Sequence, residues 1–302
     1  MDLRQRQIPV PTRKRGNALG IWFFQVALRG FGLRGAYGLL YGVCLHYLLF
    51  DPPARTAALA YIRRRFPAHS LIRRWWDVYR LFVSQGRNLI DRQSLTHGSN
   101  DLIVRFRNVE GWHRLLAERR GFVLLTAHVG NWQAVKNLLG TLDRRVNLVM
   151  RPEDNPAVRN SLRIDESTDR IGIISPESFL GGVVEAVNAL NRGEIVSLMG
   201  DRSYGFNPVR IRFFGEDAWF ASGAFHLAAQ TGCPVVVILS PKTGFRTYDV
   251  GVEAIWHPRY VPGRPKRDQL AEWVQDFARL LEQCLEKHPY QCFLFDDVWK
   301  QP

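Results

Sequence analysis

The chain is 302 residues long, 46% hydrophobic and 23% charged, which is enough for one large α/β domain and too apolar for wholesale disorder. Its 41 lysines and arginines against 28 acidic residues leave a formal net charge of +13, which implies an acidic partner: nucleic acid, an anionic membrane surface or an acidic carrier protein. The four cysteines, Cys44, Cys233, Cys284 and Cys292, show neither a paired motif nor metal-ligand spacing, so a reducing cytoplasm fits better than a disulfide framework.

Residues 1–16 form a basic tail, with Pro9 and Pro11 opposing a helix. From Leu19 to Phe50 the chain turns apolar and aromatic, but Arg29 and Arg34 break the run below the ~20 apolar residues of a spanning helix and exclude a secretory signal. The stretch reads as one or two helices lying in the bilayer interface from the cytoplasmic side. Trp22, Phe23, Phe24 and Tyr37 would then sit at the apolar–polar boundary. A core hairpin, or a single pass over Gly35–Phe50, stays open as an alternative. Residues 1–53 are thus set apart as a tail and membrane-associating segment, and 54–302 as the body.

Residues 54–95 read as helical, with a break near Pro67 between the clusters Arg63–Arg65 and Arg73–Arg74. Trp75, Trp76 and Tyr79 beside these arginines read as buried aromatics under a solvated basic face rather than as a base-stacking surface, so no nucleic-acid partner is expected. Beyond residue 100, short apolar runs alternate with amphipathic ones, the pattern of a mixed α/β sheet flanked by helices. Strands are expected at Phe122–Ala127, Val146–Met150, Ile171–Ile174, Ile195–Met199, Val209–Phe213 and Pro234–Leu239, and more weakly at Arg246–Ile255. Helices are expected at Asn131–Leu142, Pro156–Glu166, Pro176–Asn191, Ala221–Thr231 and Arg267–Lys287.

The sharpest local feature is GFVLLTAHVGNWQAVKNLLG, residues 121–140. An apolar strand ends, His128 follows at its carboxyl edge, and a helix begins near Asn131, which is where open α/β sheets place ligand crevices. An imidazole there can take a proton from an attacking hydroxyl. Gly130 permits close approach, and amides at the helix start, with Asn131, can meet an oxyanion. A second segment, Gly200–Gly205, follows an apolar strand and carries Asp201, Arg202 and Ser203, with Arg202 suited to a phosphate. Arg151 is a weaker phosphate candidate. Phe213, Phe214, Trp219 and Phe220 read equally as an acyl groove or as core. The chain contains no GxSxG elbow, P-loop or HExxH, and its eight histidines are dispersed, so neither metal nor cofactor is expected.

AHVGNWQ resembles the His-x4-acid motif of the lipid A biosynthesis acyltransferases of the lauroyl/myristoyl type, within the lysophospholipid acyltransferase superfamily. RNVEGWHRLLAERRGFVLLTAHVGNWQ resembles the lead-in to that motif, and GEIVSLMGDRSYG the family's second signature. FFGEDAWFASGAFHLAAQTGCPVVVIL and HPYQCFLFDDVW resemble its later segments. The resemblance implies an acyltransferase-like fold. It implies transfer of a fatty acyl group from acyl carrier protein, or coenzyme A, to a hydroxyl of a membrane lipid or glycolipid at the cytoplasmic face of a bacterial inner membrane. The family's histidine falls on His128, but its acid falls on Gln133. Three arrangements follow: Gln133 orients the ring without charge; a carboxylate from Asp201 or Glu194 replaces the acid; or the protein is a catalytically silent lipid- or membrane-binding relative. Gly130, Asn131, Trp132, Arg151, Arg202 and Ser203 are the candidate substrate contacts. The acceptor lipid, acyl-chain length and oligomeric state are not legible.

Overall fold

A computed structural model describes residues 18–96, 102–108, 110–135, 143–150, 171–177, 182–202 and 208–301, with side chains from 24 onward and none described for 93–96. Three helices open the chain: α1 (Ala18–Phe50), α2 (Pro52–Arg65) and α3 (Leu71–Thr96). Buried residues recur on α1 at Leu33, Tyr37, Leu40, Cys44 and Leu48, close to the 3.6-residue period of a helix with one face against a core. These join one apolar cluster with α3 residues Val78, Leu81 and Phe82 and with the sheet residues Val123 and Leu125. Gly86 of α3 lets the two helices close up, since a Cβ there would lie 2.3 Å from Leu40 Cδ1. α1 bends at Gly32, whose φ of 63° lies in the left-handed region that favours glycine.

Among the described residues no helix is long and apolar enough to cross a membrane. The arginines explain this in part: Arg29 and Arg34 both point to solvent. One reading needs correction. Trp75 and Trp76 are 41% and 52% exposed, and α3 turns Val78, Leu81 and Phe82 inward instead.

The body is a seven-stranded sheet. Its strands are β1 (Ile103–Arg107), β2 (Phe122–Thr126), β3 (Val146–Val149), β4 (Ile171–Ile174), β5 (Ile195–Met199), β8 (Val235–Leu239) and β9 (Thr247–Trp256); β6 (Val209–Phe213) and β7 (Glu216–Phe220) form a separate antiparallel hairpin. The order is β1-β9-β8-β2-β5-β3-β4, with β8, β2, β5, β3 and β4 mutually parallel and the β9–β1 pair running the other way. The remaining described helices are α4 (Glu110–Ala117), α5 (Val183–Asn191), α6 (Gly223–Thr231) and α7 (Lys266–Lys287).

Central parallel strands are covered on both faces and read as unbroken apolar runs. All five residues of β2 and of β8 are accordingly buried. β1, α4 and β7 have no counterpart among the expected elements: IVRFR and EDAWF carry too many charges to read as strands. α5 begins at Val183, later than the expected Pro176. The expected helix at Pro156–Glu166 lies outside the described residues. Phe213 and Phe220 are fully buried, Phe213 stacking at 5.6 Å on Trp299, so these two belong to the core.

Candidate active site

Strand register brings His128 and Asp201 together. β2 and β5 are parallel neighbours with Thr126 opposite Met199. His128 and Asp201 each come two residues later, so both leave the carboxyl edge of the sheet at one level. Asp201 is 1% exposed. Its Oδ2 accepts the His128 backbone N–H at 2.6 Å, and its Oδ1 lies 2.8 Å from His128 Nδ1. Burial by itself would raise the Asp201 carboxyl, but the charge and hydrogen bonds of His128, with Arg202 nearby, outweigh it and hold the group below the usual carboxylate range. A carboxylate only accepts, so Nδ1 carries the proton and Nε2 the lone pair. No hydrogen bond reaches Nε2 from the described residues, and 22% of the His128 side chain is open. The ring is steered at one nitrogen and left open at the other, which is the geometry of a general base.

Two glycines make this possible. A Cβ at Gly200 would lie 2.7 Å from Leu125 Cδ1 and 2.9 Å from Phe277 Cε1, so a side chain there would push these two residues aside next to Asp201. Gly130 has φ +65°, and a Cβ there would stand 1.9 Å from the Ser240 carbonyl oxygen. The loop after β2 that carries His128 and Gly130 is fastened from three sides. Phe293 N–H donates to the His128 carbonyl at 2.8 Å, Asn131 N–H donates to the Ser240 carbonyl at 3.0 Å, and Asn88 Nδ2 donates to the Gly130 carbonyl at 2.6 Å. Val129 also bridges Cys292. Sequence reading found none of Asn88, Ser240 or Phe293, because each acts through backbone proximity that only the tertiary fold creates.

The other candidates separate. Gln133 is 2% exposed and, among the described residues, neither of its amide atoms has a hydrogen-bond partner, so it is not bonded to the His128 ring. Glu194 precedes β5 and sits at the opposite, amino edge of the sheet, where it binds Arg192 at 2.7 Å and Asn147 Nδ2 at 2.7 Å. Five strand residues at ~3.3 Å each put it roughly 17 Å from the carboxyl edge.

The helix start is not an open cradle of amides. Asn131 N–H is spent on Ser240, Asn131 Oδ1 accepts Gln133 N–H at 3.1 Å, and Ala134 N–H returns to the Asn131 carbonyl at 3.0 Å. That local cap, typical of asparagine, occupies the backbone N–H groups of Gln133 and Ala134, while Asn131 Nδ2 is buried without a hydrogen-bond partner among the described residues. Trp132 is half-buried beside Asn131. Arg202 donates through Nη2 to the Phe293 carbonyl at 2.8 Å, tying the second signature to the C-terminal segment. Arg151 and Ser203 lie outside the described residues. Among those described, no group of three or more His, Cys, Asp or Glu side chains is placed to hold a metal ion.

Residues 56–301 match the family described as bacterial lipid A biosynthesis acyltransferase. No curated protein matches. Among solved structures, the chain resembles the 1-acyl-sn-glycerophosphate (LPA) acyltransferase PlsC from Thermotoga maritima at 14% identity and a TM-score of 0.38, over 84% of this chain and 97% of that one. The likeness is remote and fixes no detail of the site.

Proposed function

The chain belongs to the bacterial lipid A biosynthesis acyltransferases, and from that premise we propose that it moves a fatty acyl group from a carrier thioester to a hydroxyl of a lipid or glycolipid, with His128 as general base and Asp201 as its carboxylate partner. Nε2 removes the acceptor's hydroxyl proton as the oxygen attacks the thioester carbonyl. The tetrahedral adduct collapses, the C–S bond breaks, and the departing sulfur takes the proton back from the imidazolium, leaving an ester and a free thiol. The nearest donor by charge is acyl carrier protein, an acidic partner for a chain of net charge +13, with coenzyme A the other thioester of the same kind.

The observation that carries this reading is the His128–Asp201 pair at 2.8 Å, with Nε2 left open. It also answers the departure at Gln133 that favoured a silent binder: the negative charge comes from β5 instead of the helix. His128→Ala should abolish release of thiol from acyl-carrier-protein thioesters and formation of acylated lipid, read by mass spectrometry of total lipids. Undiminished transfer by that variant would end the proposal.

On the same proposal the reaction takes place at the cytoplasmic face of a bacterial inner membrane, a reading supported by the surface of the N-terminal helices. The end of α1 and the start of α3 both expose large apolar side chains, with Leu49 at 51%, Phe50 at 71%, Leu71 at 72%, Ile72 at 86% and Trp76 at 52%. Arg55 ties the two edges, donating to the Leu48 carbonyl at 2.9 Å while lying 4.8 Å from the Trp75 ring centroid. An apolar face set among arginines suits a monolayer of anionic lipid, lying on it rather than crossing it. Ile72→Glu with Trp76→Glu should reduce flotation with phosphatidylglycerol vesicles at least tenfold. Unchanged flotation would refute that orientation.

A further inference from the structure

We propose that Asp91 is a positioning residue for catalysis: buried behind the His128 loop, it fixes the segments that hold residues 128–131, and so couples the N-terminal helices to the active site. This rests on the assignment of His128 as the base. Asp91 belongs to α3 and is 0% exposed. Three donors from three other parts of the chain converge on it: Tyr37 of α1, Tyr248 of β9 at 2.5 Å, and Lys242 Nζ, from the connection between β8 and β9, at 2.6 Å. Tyr37 and Tyr248 are themselves buried, and burial next to the Asp91 charge pushes both phenols up, so they remain donors. The Lys242 ammonium also lies 4.6 Å from the centroid of the Tyr248 ring.

A buried ion pair of this kind brings little net stability, because desolvation offsets the attraction; what it does well is fix one arrangement over others. The arrangement it fixes here surrounds the site. Asn88, one helical turn before Asp91, holds the Gly130 carbonyl. Ser240, two residues before Lys242, takes the Asn131 N–H and is the group that Gly130 must clear. Gln291 clamps the Lys242 backbone from both sides, at 2.7 Å through each amide atom. The next two residues, Cys292 and Phe293, pair with Val129 and His128. The Tyr248 hydroxyl lies beside the Asn131 side chain. Three of the fastenings of the loop thus lead back to Asp91: Asn88 shares its helix, Ser240 stands two residues from Lys242, and Cys292 and Phe293 follow Gln291, which grips the Lys242 backbone. None of these contacts touches the reacting atoms, which is why the role is positioning.

Asp91→Asn keeps the shape but offers one acceptor oxygen to three donors and leaves Lys242 without its counter-charge. With lauroyl and palmitoyl acyl-carrier-protein thioesters as donors and vesicles of inner-membrane lipid extract as acceptor, kcat should fall about 10- to 50-fold while KM for the donor stays within about twofold, a loss in the range that small misplacements cause. The discriminating measurement is the same substitution made in an Asp201→Asn background. Where the ring has already lost its steering, the Asp91 change should cost less than about threefold. If Asp91 only helps the protein fold, the two losses multiply, and that result overturns the proposal, as does an unchanged kcat. Tyr248→Phe removes a single donor and is the gentler variant should Asp91→Asn not fold; it should lower kcat about 3- to 10-fold with the same failure to multiply. His128→Ala run alongside separates the two levels: activity in that variant sinks the mechanism itself, whereas a dead His128→Ala with multiplicative Asp91 losses sinks only this inference.

Discussion

Asp201→Asn isolates the electrostatic part of the dyad, because it changes one oxygen to an amide nitrogen and little else. The carboxylate now uses one oxygen for the His128 backbone N–H and the other for Nδ1. An amide can satisfy only one of them. If its oxygen faces the backbone, its NH2 faces Nδ1 and forces that nitrogen to accept, which moves the ring proton to Nε2 and silences the base. If its oxygen faces the ring, two buried donors meet at the backbone. The ring also loses its charge-assisted bond just as it becomes an imidazolium. Such a bond contributes about 1.5–3 kcal/mol, or roughly 10- to 150-fold in rate, and the inverted tautomer adds to it. We expect kcat at pH 7 to fall about 10²- to 10³-fold. One unmatched buried donor should cost a further ~1–3 kcal/mol of stability, a few degrees in Tm for a chain of this size. The assay is thiol release at saturating donor, alongside thermal melting. Glu194→Gln, at the far edge of the sheet, should stay within about twofold of the parent and serves as the contrast. An Asp201→Asn enzyme within threefold of the parent, still folded, would refute the steering role.

Gln133→Leu should be neutral or stabilise by up to about 1–2 kcal/mol in a chemical melt, since it removes a buried amide that bonds to nothing; destabilisation beyond 1 kcal/mol would mean the amide has a partner. Gly130→Ala should cost more than about 3 kcal/mol, combining a positive φ with a Cβ driven into the Ser240 carbonyl, and should be read by loss of soluble, folded protein. Because the Asp201 pKa is depressed by folding, its contribution to stability is complete above the unfolded value near 4 and disappears as pH falls through the folded one. The parent should therefore lose more Tm than Asp201→Asn between pH 5 and pH 3, and parallel curves would contradict the coupling.

The sheet was legible because its central strands are buried on both faces. FVLLT, IVSLM and VVVIL leave little else that such runs could be. Half-exposed strands hid: IVRFR, at the edge beside β9, and EDAWF, in the hairpin, owe their pairing to neighbours rather than to composition. His128 could be read from its place after a strand and from the resemblance around it. Its partner stays open in the sequence among Gln133, Asp201 and Glu194, and the two carboxylates flank the same strand, so the choice between them is one of direction along it. Only the parallel register of β2 with β5 puts Asp201 at the right end. The Asp91 cluster was invisible, because an aspartate among the arginines and glutamines of an amphipathic helix looks like any solvated residue until α1 and β9 close over it. The exposed tryptophans of α3 show the converse: composition alone turns Trp75 and Trp76 inward, while the helix has Val78, Leu81 and Phe82 to bury instead.

The two members of the dyad lie 73 residues apart and meet only once β2 and β5 have zipped together. A polypeptide still emerging from the ribosome, or one that has lost that single strand contact, therefore holds an ordinary histidine and an ordinary aspartate with no tool for opening thioesters. On the proposed mechanism, competence to react would arrive with the finished sheet, and a half-made molecule would not squander activated fatty acid on water.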